Sequence, residues 1–350
     1  MLTEVLLCAV GLVVLSVAAD HLVQGSSRLA AWLRINPIVV GIVVIGFGTS
    51  APEFLVSATA AARGDTGIAV GNIVGSNILN LTLILGIAAL LADVRVRASV
   101  VAHESRLAVI AVAVFAVFAW QGLNPVTGVL LAVLLFGALA VLIRWALADR
   151  SPAMTVEVCE FIGSEQIHPP FSDLDTESAH SSEDDTGGEF QDYPDAARYP
   201  AHPVRRASIR ALIGLGGVLL GSQVLVVNAS AIATRFGVSQ VIIGLTLIAL
   251  GTSLPELVTT VQAQRRGESA LVVGNLFGSN LFNSLGGGAV IGLASGSAHP
   301  AKASVVSIVI MVATAVLAWV LLRRDLRVSR SEGLILLAVY VLTLPLLLVS

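Results

Sequence analysis

Charge is what this sequence has least of. Asp, Glu, Lys and Arg together make up 12% of its 350 residues, about half the roughly 25% usual in soluble domains. With 56% of residues apolar, a soluble fold would have too few charges to cover itself, so lipid supplies the missing solvent. Lysine is nearly absent: Lys302 stands alone beside nineteen arginines. That bias fits a GC-rich bacterial genome and, with it, a cytoplasmic (inner) membrane. Cysteine occurs twice, Cys8 in the first apolar run and Cys159 in a polar segment. Neither a disulfide framework nor a Cys-based metal site follows. There is no His-Glu-x-x-His motif and no His at predicted mid-membrane depth, which disfavours hydrolase chemistry. No resident cofactor and no nucleic-acid partner are expected.

Long apolar runs fill the rest of the chain. Stretches of on the order of 20 residues, long enough to span, fall at 2–24, 36–62, 66–92, 99–120 and 125–148. Five more follow at 209–234, 238–264, 268–294, 302–322 and 332–349. The start, Met1-Leu2-Thr3-Glu4, lacks a basic region, which argues for a first membrane helix rather than a cleaved signal peptide. The reading is an all-α polytopic membrane protein of ten transmembrane helices: a five-helix unit over 1–150, a linker over 151–206 and a second unit over 207–350. Residues 151–197 contain no Lys or Arg and twelve acidic residues, Glu157 through Asp195, the composition of a solvated, disordered linker. Asp173-x-Asp175-x-Glu177 suggests a calcium loop, but Ser178 stands where an EF-hand turn needs Gly.

The basic residues give orientation. With the N-terminus outside, 17 of the 20 Lys and Arg fall in cytoplasmic segments, leaving Arg63, Arg235 and Lys302 outside. Ten spans return the C-terminus to the outer face, with the linker in the cytoplasm.

The two halves are copies. Ile45-Gly-Phe-Gly-Thr-Ser-Ala-Pro-Glu-Phe54 matches Ile248-Ala-Leu-Gly-Thr-Ser-Leu-Pro-Glu-Leu257, and Gly71-Asn-Ile-Val-Gly-Ser-Asn-Ile-Leu-Asn80 matches Gly274-Asn-Leu-Phe-Gly-Ser-Asn-Leu-Phe-Asn283. The offset is 203 throughout, and 16 of the 36 positions from 45 to 80 are identical. An odd number of spans per copy means that the second inserts upside down. In inverted-repeat transporters the substrate site lies at mid-membrane, on broken helices where the repeats meet. Gly48 with Pro52, and Gly251 with Pro255, mark such breaks.

Glu53 and Glu256 carry the chemistry. A carboxylate in mid-bilayer costs about 3 kcal/mol, and this chain accepts that cost twice, with no Arg or Lys at the predicted midplane. Thr49 and Ser50 precede Glu53 by one turn, and Thr252 and Ser253 precede Glu256. Ser76 and Asn80 share a face of the next span, as do Ser279 and Asn283. All of these are hard oxygen ligands, poorly suited to Zn²⁺ or Cu. Ca²⁺ takes six to eight oxygens flexibly, and two carboxylates balance its charge. Na⁺ would accept smaller sets of the same oxygens.

These paired motifs resemble the alpha repeats of the sodium/calcium exchanger family, within the cation/calcium exchanger superfamily, and are most similar to its compact prokaryotic members. The resemblance implies a Na⁺/Ca²⁺ antiporter working by alternating access, in which the first span of each half slides over the other eight helices. It implies Ca²⁺ at Thr49, Glu53, Thr252 and Glu256. Na⁺ sites would draw on Ser50, Ser253, Ser76, Ser279 and the carbonyls of Gly46 and Ala249, with Asn80 and Asn283 completing the middle of the cluster. Some relatives carry Asp at Asn80 or Asn283; the amides here argue against potassium co-transport and leave the coupling stoichiometry open. The expected substrates are Ca²⁺ and Na⁺, and the functional unit a monomer in the bilayer. The alternative is a proton-coupled exchanger of Ca²⁺ or another divalent cation; a cation channel and an intramembrane hydrolase fit less well.

Overall fold

The computed structural model describes residues 2–33, 35, 37–98, 101–148, 202–236, 249–295 and 300–349. The acidic stretch expected to form a linker therefore lies outside the described residues, except at its end. Helix α7 (His202–Arg235) begins with a Pro at its second position, so residues 202–206, assigned to the linker on charge, are helical. Pro is tolerated there because the first N–H groups of a helix have no intrahelical acceptor.

The first half contains α1 (Leu2–Leu33), α2 (Pro37–Thr49), α3 (Ala51–Ala62), α4 (Thr66–Leu91), the short strand β1 (Val94–Arg95), α5 (Arg106–Gln121) and α6 (Pro125–Ala148). After α7 come α8 (Ala249–Thr252), α9 (Leu254–Arg265), α10 (269–294), α11 (Val305–Asp325), β2 (Arg327–Val328) and α12 (Arg330–Val349). Among the described residues seven helices are long and apolar enough to span a membrane, and an eighth span results if the bent pair α2–α3 is one crossing. Helix α10 is also long enough, but six glycines against four in its counterpart α4, and Ser284 where α4 has Leu81, make it less apolar. The crossing expected over 238–264 is described only from Ala249 onward.

Burial sorts these helices into a centre and a lipid-facing ring. Within α4 the apolar window is 78% buried, against 22% for α6. Helix α10 is buried continuously from Leu271 to Ala289. The ring helices turn Leu12, Val13, Val133, Phe136, Leu220 and Val309 outward, as a lipid solvent allows.

The halves mirror each other in backbone detail. Gly64 and Gly267 both have positive φ, 86° and 75°, at the tight turns α3–α4 and α9–α10, where only Gly adopts that conformation without strain. Strands β1 and β2 pair antiparallel, Val94 opposite Val328. Gln264 donates to the carbonyl of Ala92 and Arg327 pairs with Asp93, so one end of the bundle collects Arg95, Arg266, Arg327 and Arg330. At the opposite end Leu123 bridges Ala301, and Arg235 pairs with Glu4.

Helices α1 and α7 run antiparallel in backbone-close contact. Gly11 lies against Leu225 and Gly25 against Ala211; a Cβ on Gly25 would sit 2.5 Å from the Ala211 nitrogen. Helix α7 also covers both predicted helix breaks, with Leu215 over Gly48 and Val226 over Gly251. Small residues permit such approach where water supplies no hydrophobic drive between helices. A Cβ at Gly221 would come 2.7 Å from the Leu15 nitrogen, whereas one at Gly137 on α6 meets nothing within 4 Å. Gly221→Val should therefore lower stability by about 1–3 kcal/mol, the usual range for overpacking, while Gly137→Val changes it little. Thermal unfolding of the two variants in detergent checks this.

Candidate functional site

Two broken helices create the site. Helix α2 stops at Thr49, Ser50 takes φ −78° and ψ 0°, and α3 leaves at 42° to α2. Ser253 takes φ −91° and ψ 5° between α8 and α9. Pro52 and Pro255 occupy the first turn of the new helix in each case, where a missing N–H costs nothing but rules out a continuous helix through the break. Glu53 and Glu256 follow in the same first turns. Each thus sits at the positive end of a half-helix dipole.

Both carboxylates are fully buried, and among the described residues no Lys, Arg or His forms an ion pair with either. Their partners are hydroxyls, the shorter bonds coming from the opposite repeat. Ser253 Oγ donates to Glu53 Oε1 at 3.1 Å, and Ser50 Oγ donates to Glu256 Oε1 at 3.3 Å. Ser279 adds a longer contact to Glu256 Oε1 at 3.4 Å and reaches the carbonyl of Gly46 at 3.3 Å. Ser76 Oγ accepts from Ser253 at 3.3 Å. On both carboxylates Oε2 is buried without a hydrogen-bond partner among the described residues.

The expected residues converge. Thr49, Ser50, Glu53, Ser76, Asn80, Thr252, Ser253, Glu256, Ser279 and Asn283 are all buried, and Gly46 enters through its carbonyl. Ala249 opens the described part of the second broken helix, and its side chain is outside the described residues. Thr49 Oγ1 shares its one proton between the carbonyl of Ile45 at 2.9 Å and Asn275 Oδ1 at 3.3 Å, leaving only lone pairs for a cation. Asn80 donates to Asn280 Oδ1 at 3.1 Å. Among the described residues its own oxygen is unpartnered, and neither polar atom of the Asn283 side chain has a partner. Asn80 and Asn283 each begin a π turn, Asn80–Ile84 and Asn283–Gly287, and a third π turn, Gly41–Gly46, leads into the first break. Such turns interrupt the regular hydrogen-bond ladder and recur at functional sites.

Asn72, Asn275 and Asn280 support the site, though the sequence alone assigns them no role; Asn77 stands there beside Ser76 with no partner assigned. Asn72 Nδ2 donates to the Glu53 carbonyl at 3.2 Å and to Ser57 at 3.0 Å; Asn275 Nδ2 donates to the Glu256 carbonyl at 3.2 Å. Asn77 donates to Ser284 and lies 3.5 Å from the Met311 sulfur, and Asn280 donates to the Asn77 carbonyl. The signal for Asn72 and Asn275 was their duplication at the 203 offset. Among the described residues no group of three or more His, Cys, Asp and Glu lies together. The arrangement is thus two carboxyl groups within a shell of neutral oxygens, suited to hard cations.

Comparison with known proteins points the same way. The family model described as sodium/calcium exchanger protein matches residues 3–145 and 208–349. The chain is 35% identical over 348 residues to a putative antiporter, CaxA, of Alkalimonas amylolytica, covering 97% of each. It is 28% identical to the sodium/calcium exchanger MaX1 of Methanosarcina acetivorans, covering 96% of each. The solved structure of the sodium-calcium exchanger NCX_Mj superposes with a TM-score of 0.77 at 28% identity, covering 99% of this chain and 98% of that one.

Two carboxyl groups buried without a counter-charge should burden the fold when no cation is bound, because either the buried charge or the proton uptake that neutralises it is costly. Glu53→Gln and Glu256→Gln are each expected to raise the melting temperature of chelator-treated, Na⁺-free protein. Unfolding scans in choline buffer measure the sign directly.

Proposed function

Because this chain belongs to the sodium/calcium exchanger family, we propose that it exchanges Na⁺ for Ca²⁺ by alternating access at the Glu53–Glu256 site. As a member of that family it is a multi-pass membrane transporter of the exchanger type and not an enzyme. The observation that carries the ion assignment is the reciprocal bonding of each carboxylate to the opposite repeat, Ser253 to Glu53 and Ser50 to Glu256, with both Oε2 atoms buried and unpartnered among the described residues.

Glu53 and Glu256, with Thr49 and Thr252, would hold Ca²⁺, whose charge the two carboxylates balance. Ser50, Ser76, Ser253 and Ser279, with the carbonyls of Gly46 and Ala249, would hold Na⁺ around the same carboxylates. Asn80 and Asn283 stand between them. Because both ions need the same two charges, each excludes the other, and that exclusion couples their fluxes. The alternative coupling ion is the proton, but a proton needs no shell of serine oxygens, so the hydroxyls favour Na⁺. The site draws on both repeats of a single chain, which supports a functional monomer.

The reading includes the arrangement 1–150 and 207–350 as inverted five-helix units in the inner membrane, both termini outside and the acidic linker in the cytoplasm. The gathering of Arg95, Arg266, Arg327 and Arg330 at one end supports that orientation. At this end Ser27 on α1 donates to Glu268 at 2.6 Å and Arg266 bonds Asp20 at 2.7 Å. The equivalents of Ser27 and Glu268, 203 positions away, are Ser230 and Asp65. Among the described residues Ser230 Oγ is buried without a partner and Asp65 is exposed. Among the described residues α1 is thus bonded to the core at the end read as cytoplasmic, and the equivalent bond of α7 is not made at the other end, as in an outward-facing carrier.

Uptake of radioactive Ca²⁺ into Na⁺-loaded proteoliposomes tests the exchange. Uptake should require the outward Na⁺ gradient and fall to background in Glu53→Gln and Glu256→Gln. Uptake driven by a pH gradient and indifferent to Na⁺ would transfer the chain to the proton-coupled alternative. For the alternation, Asp65→Cys with Ser230→Cys, in a background of Cys8→Ser and Cys159→Ser, should cross-link only under conditions that turn the site inward. Equal cross-linking under all ion conditions would contradict the sliding of α1 and α7.

A further inference from the structure

Asn275 occupies an unusual place. It lies on α10, is 1% exposed, and makes contacts to both broken helices. Its Nδ2 donates to the Glu256 carbonyl at 3.2 Å, Thr259 Oγ1 at 3.2 Å and Thr260 Oγ1 at 3.0 Å. Its Oδ1 accepts at 3.3 Å the longer arm of the Thr49 hydroxyl bond, whose shorter arm goes to the Ile45 carbonyl at 2.9 Å. Both the N–H groups and the oxygen of the amide are thus engaged. The first three contacts stay within the second repeat. The fourth crosses to the first. One planar amide therefore fixes Thr49 relative to Glu256, two residues expected to share a cation.

The backbone is shaped to allow this. A Cβ at Gly46 would lie 3.0 Å from the Ser279 nitrogen and 3.3 Å from the Asn275 carbonyl, and one at Gly278 would lie 2.7 Å from the Ile42 Cα. Glycine on both sides brings α10 close enough to α2 for a short Asn side chain to span the gap.

We propose that Asn275 is a positioning residue for the transported Ca²⁺, acting through Thr49 and Glu256 rather than by touching the ion. The inference rests on the cation-site reading above. Ca²⁺ ligands must sit within a narrow range of about 2.3–2.6 Å, so releasing both groups at once weakens binding more than it alters the later conformational step. If Asn275 served only to bind α9 to α10, its loss would lower stability or maximal rate and leave apparent affinity alone. Glu256 and Thr259 retain a hydrogen bond of their own at 3.1 Å, so the first turn of α9 persists without the amide.

The experiment is Na⁺-driven Ca²⁺ uptake in proteoliposomes as a function of Ca²⁺, for wild type, Asn275→Ala, Thr49→Val and the double variant. Asn275→Ala should raise KM for Ca²⁺ by about tenfold or more, the scale of a buried hydrogen bond broken on one side, with the maximal rate within about twofold of wild type. Thr49→Val added to Asn275→Ala should cost less than it does alone, the mark of a shared interaction. An unchanged KM, or full additivity of the two substitutions, would overturn the proposal. If Asn275→Ala is not recovered as folded protein, Asn275→Ser, which is too short to reach both partners, carries the same expectation. Glu256→Gln in the same assay separates the two levels: Ca²⁺ uptake of unchanged KM in that variant removes the site itself. Its loss beside a normal KM in Asn275→Ala removes only the role of Asn275.

Discussion

Two carboxylates buried in an apolar medium with no basic partner among the described residues set the terms for everything else in this molecule. A bilayer offers no water to solvate Glu53 or Glu256, and each costs about 3 kcal/mol to hold at mid-depth. The protein answers with neutral dipoles. Each Glu sits in the first turn of a half-helix, where unpaired N–H groups present positive charge, and each accepts from a serine of the other repeat. To create those half-helix ends the chain must break inside the membrane. Such irregular backbone is tolerated only when enclosed by protein or facing water, so the broken helices are enclosed by α4, α10 and α7. The near-complete burial of α10 and the glycines of α7 are thus consequences of two side chains elsewhere.

Inversion explains why one repeat cannot do this alone. Ser50 and Glu53 are on one broken helix, yet Ser50 bonds Glu256, not Glu53. The serine of each copy therefore lies nearer the opposite carboxylate than its own in bonding terms. That exchange requires the copies to meet head to head, as antiparallel insertion allows. It also requires close approach, supplied where Gly41 faces Gly274 and Gly278 faces Ile42. The repeat motif is in this sense half a site plus the means to dock against its own copy.

Much of this was legible in the sequence because the constraints are local and duplicated. Gly48-Thr-Ser-Ala-Pro-Glu53 announces a break, an acid and two hydroxyls within six residues, and Gly251 to Glu256 repeats it. The carboxylates could be identified because acids are conspicuous in apolar runs. Asn72 and Asn275 were not, though they occur in the second duplicated motif, because an amide in a membrane helix is ordinarily interhelical glue. Only three-dimensional placement distinguishes one that reaches a Glu carbonyl. The π turns at Asn80 and Asn283 were equally hidden: a single extra residue in a turn leaves the apolar pattern almost unchanged. Helix α7 began before the position that charge suggested, since Arg205 and Arg206 suit a solvent-exposed helix end as well as a linker.

A symmetric sequence in an asymmetric structure is itself mechanistically informative. Thr49 and Thr252, Ser27 and Ser230, and Asn77 and Asn280 occupy equivalent places, yet the bonds of the last two pairs differ. Ser27 holds Glu268 while Ser230 Oγ has no partner among the described residues, and Asn280 bonds the Asn77 carbonyl while Asn77 turns to Ser284. Exchanging the roles of the halves gives a second arrangement with nearly the same inventory of bonds at the opposite membrane face. Two arrangements so alike in composition differ little in free energy, so modest differential binding suffices to shift the balance between them. Residues without a twin set the remaining bias. Leu81 stands where the second repeat has Ser284, and Gln223 where the first has Asp20. The Asp20–Arg266 pair, bonded at 2.7 Å, therefore has no charged equivalent at the opposite end of the bundle, where a neutral amide would meet Arg63. In the proposed cycle these unpaired differences favour the outward-facing state of the empty carrier, and the cation's charge must overcome them before the site can turn inward.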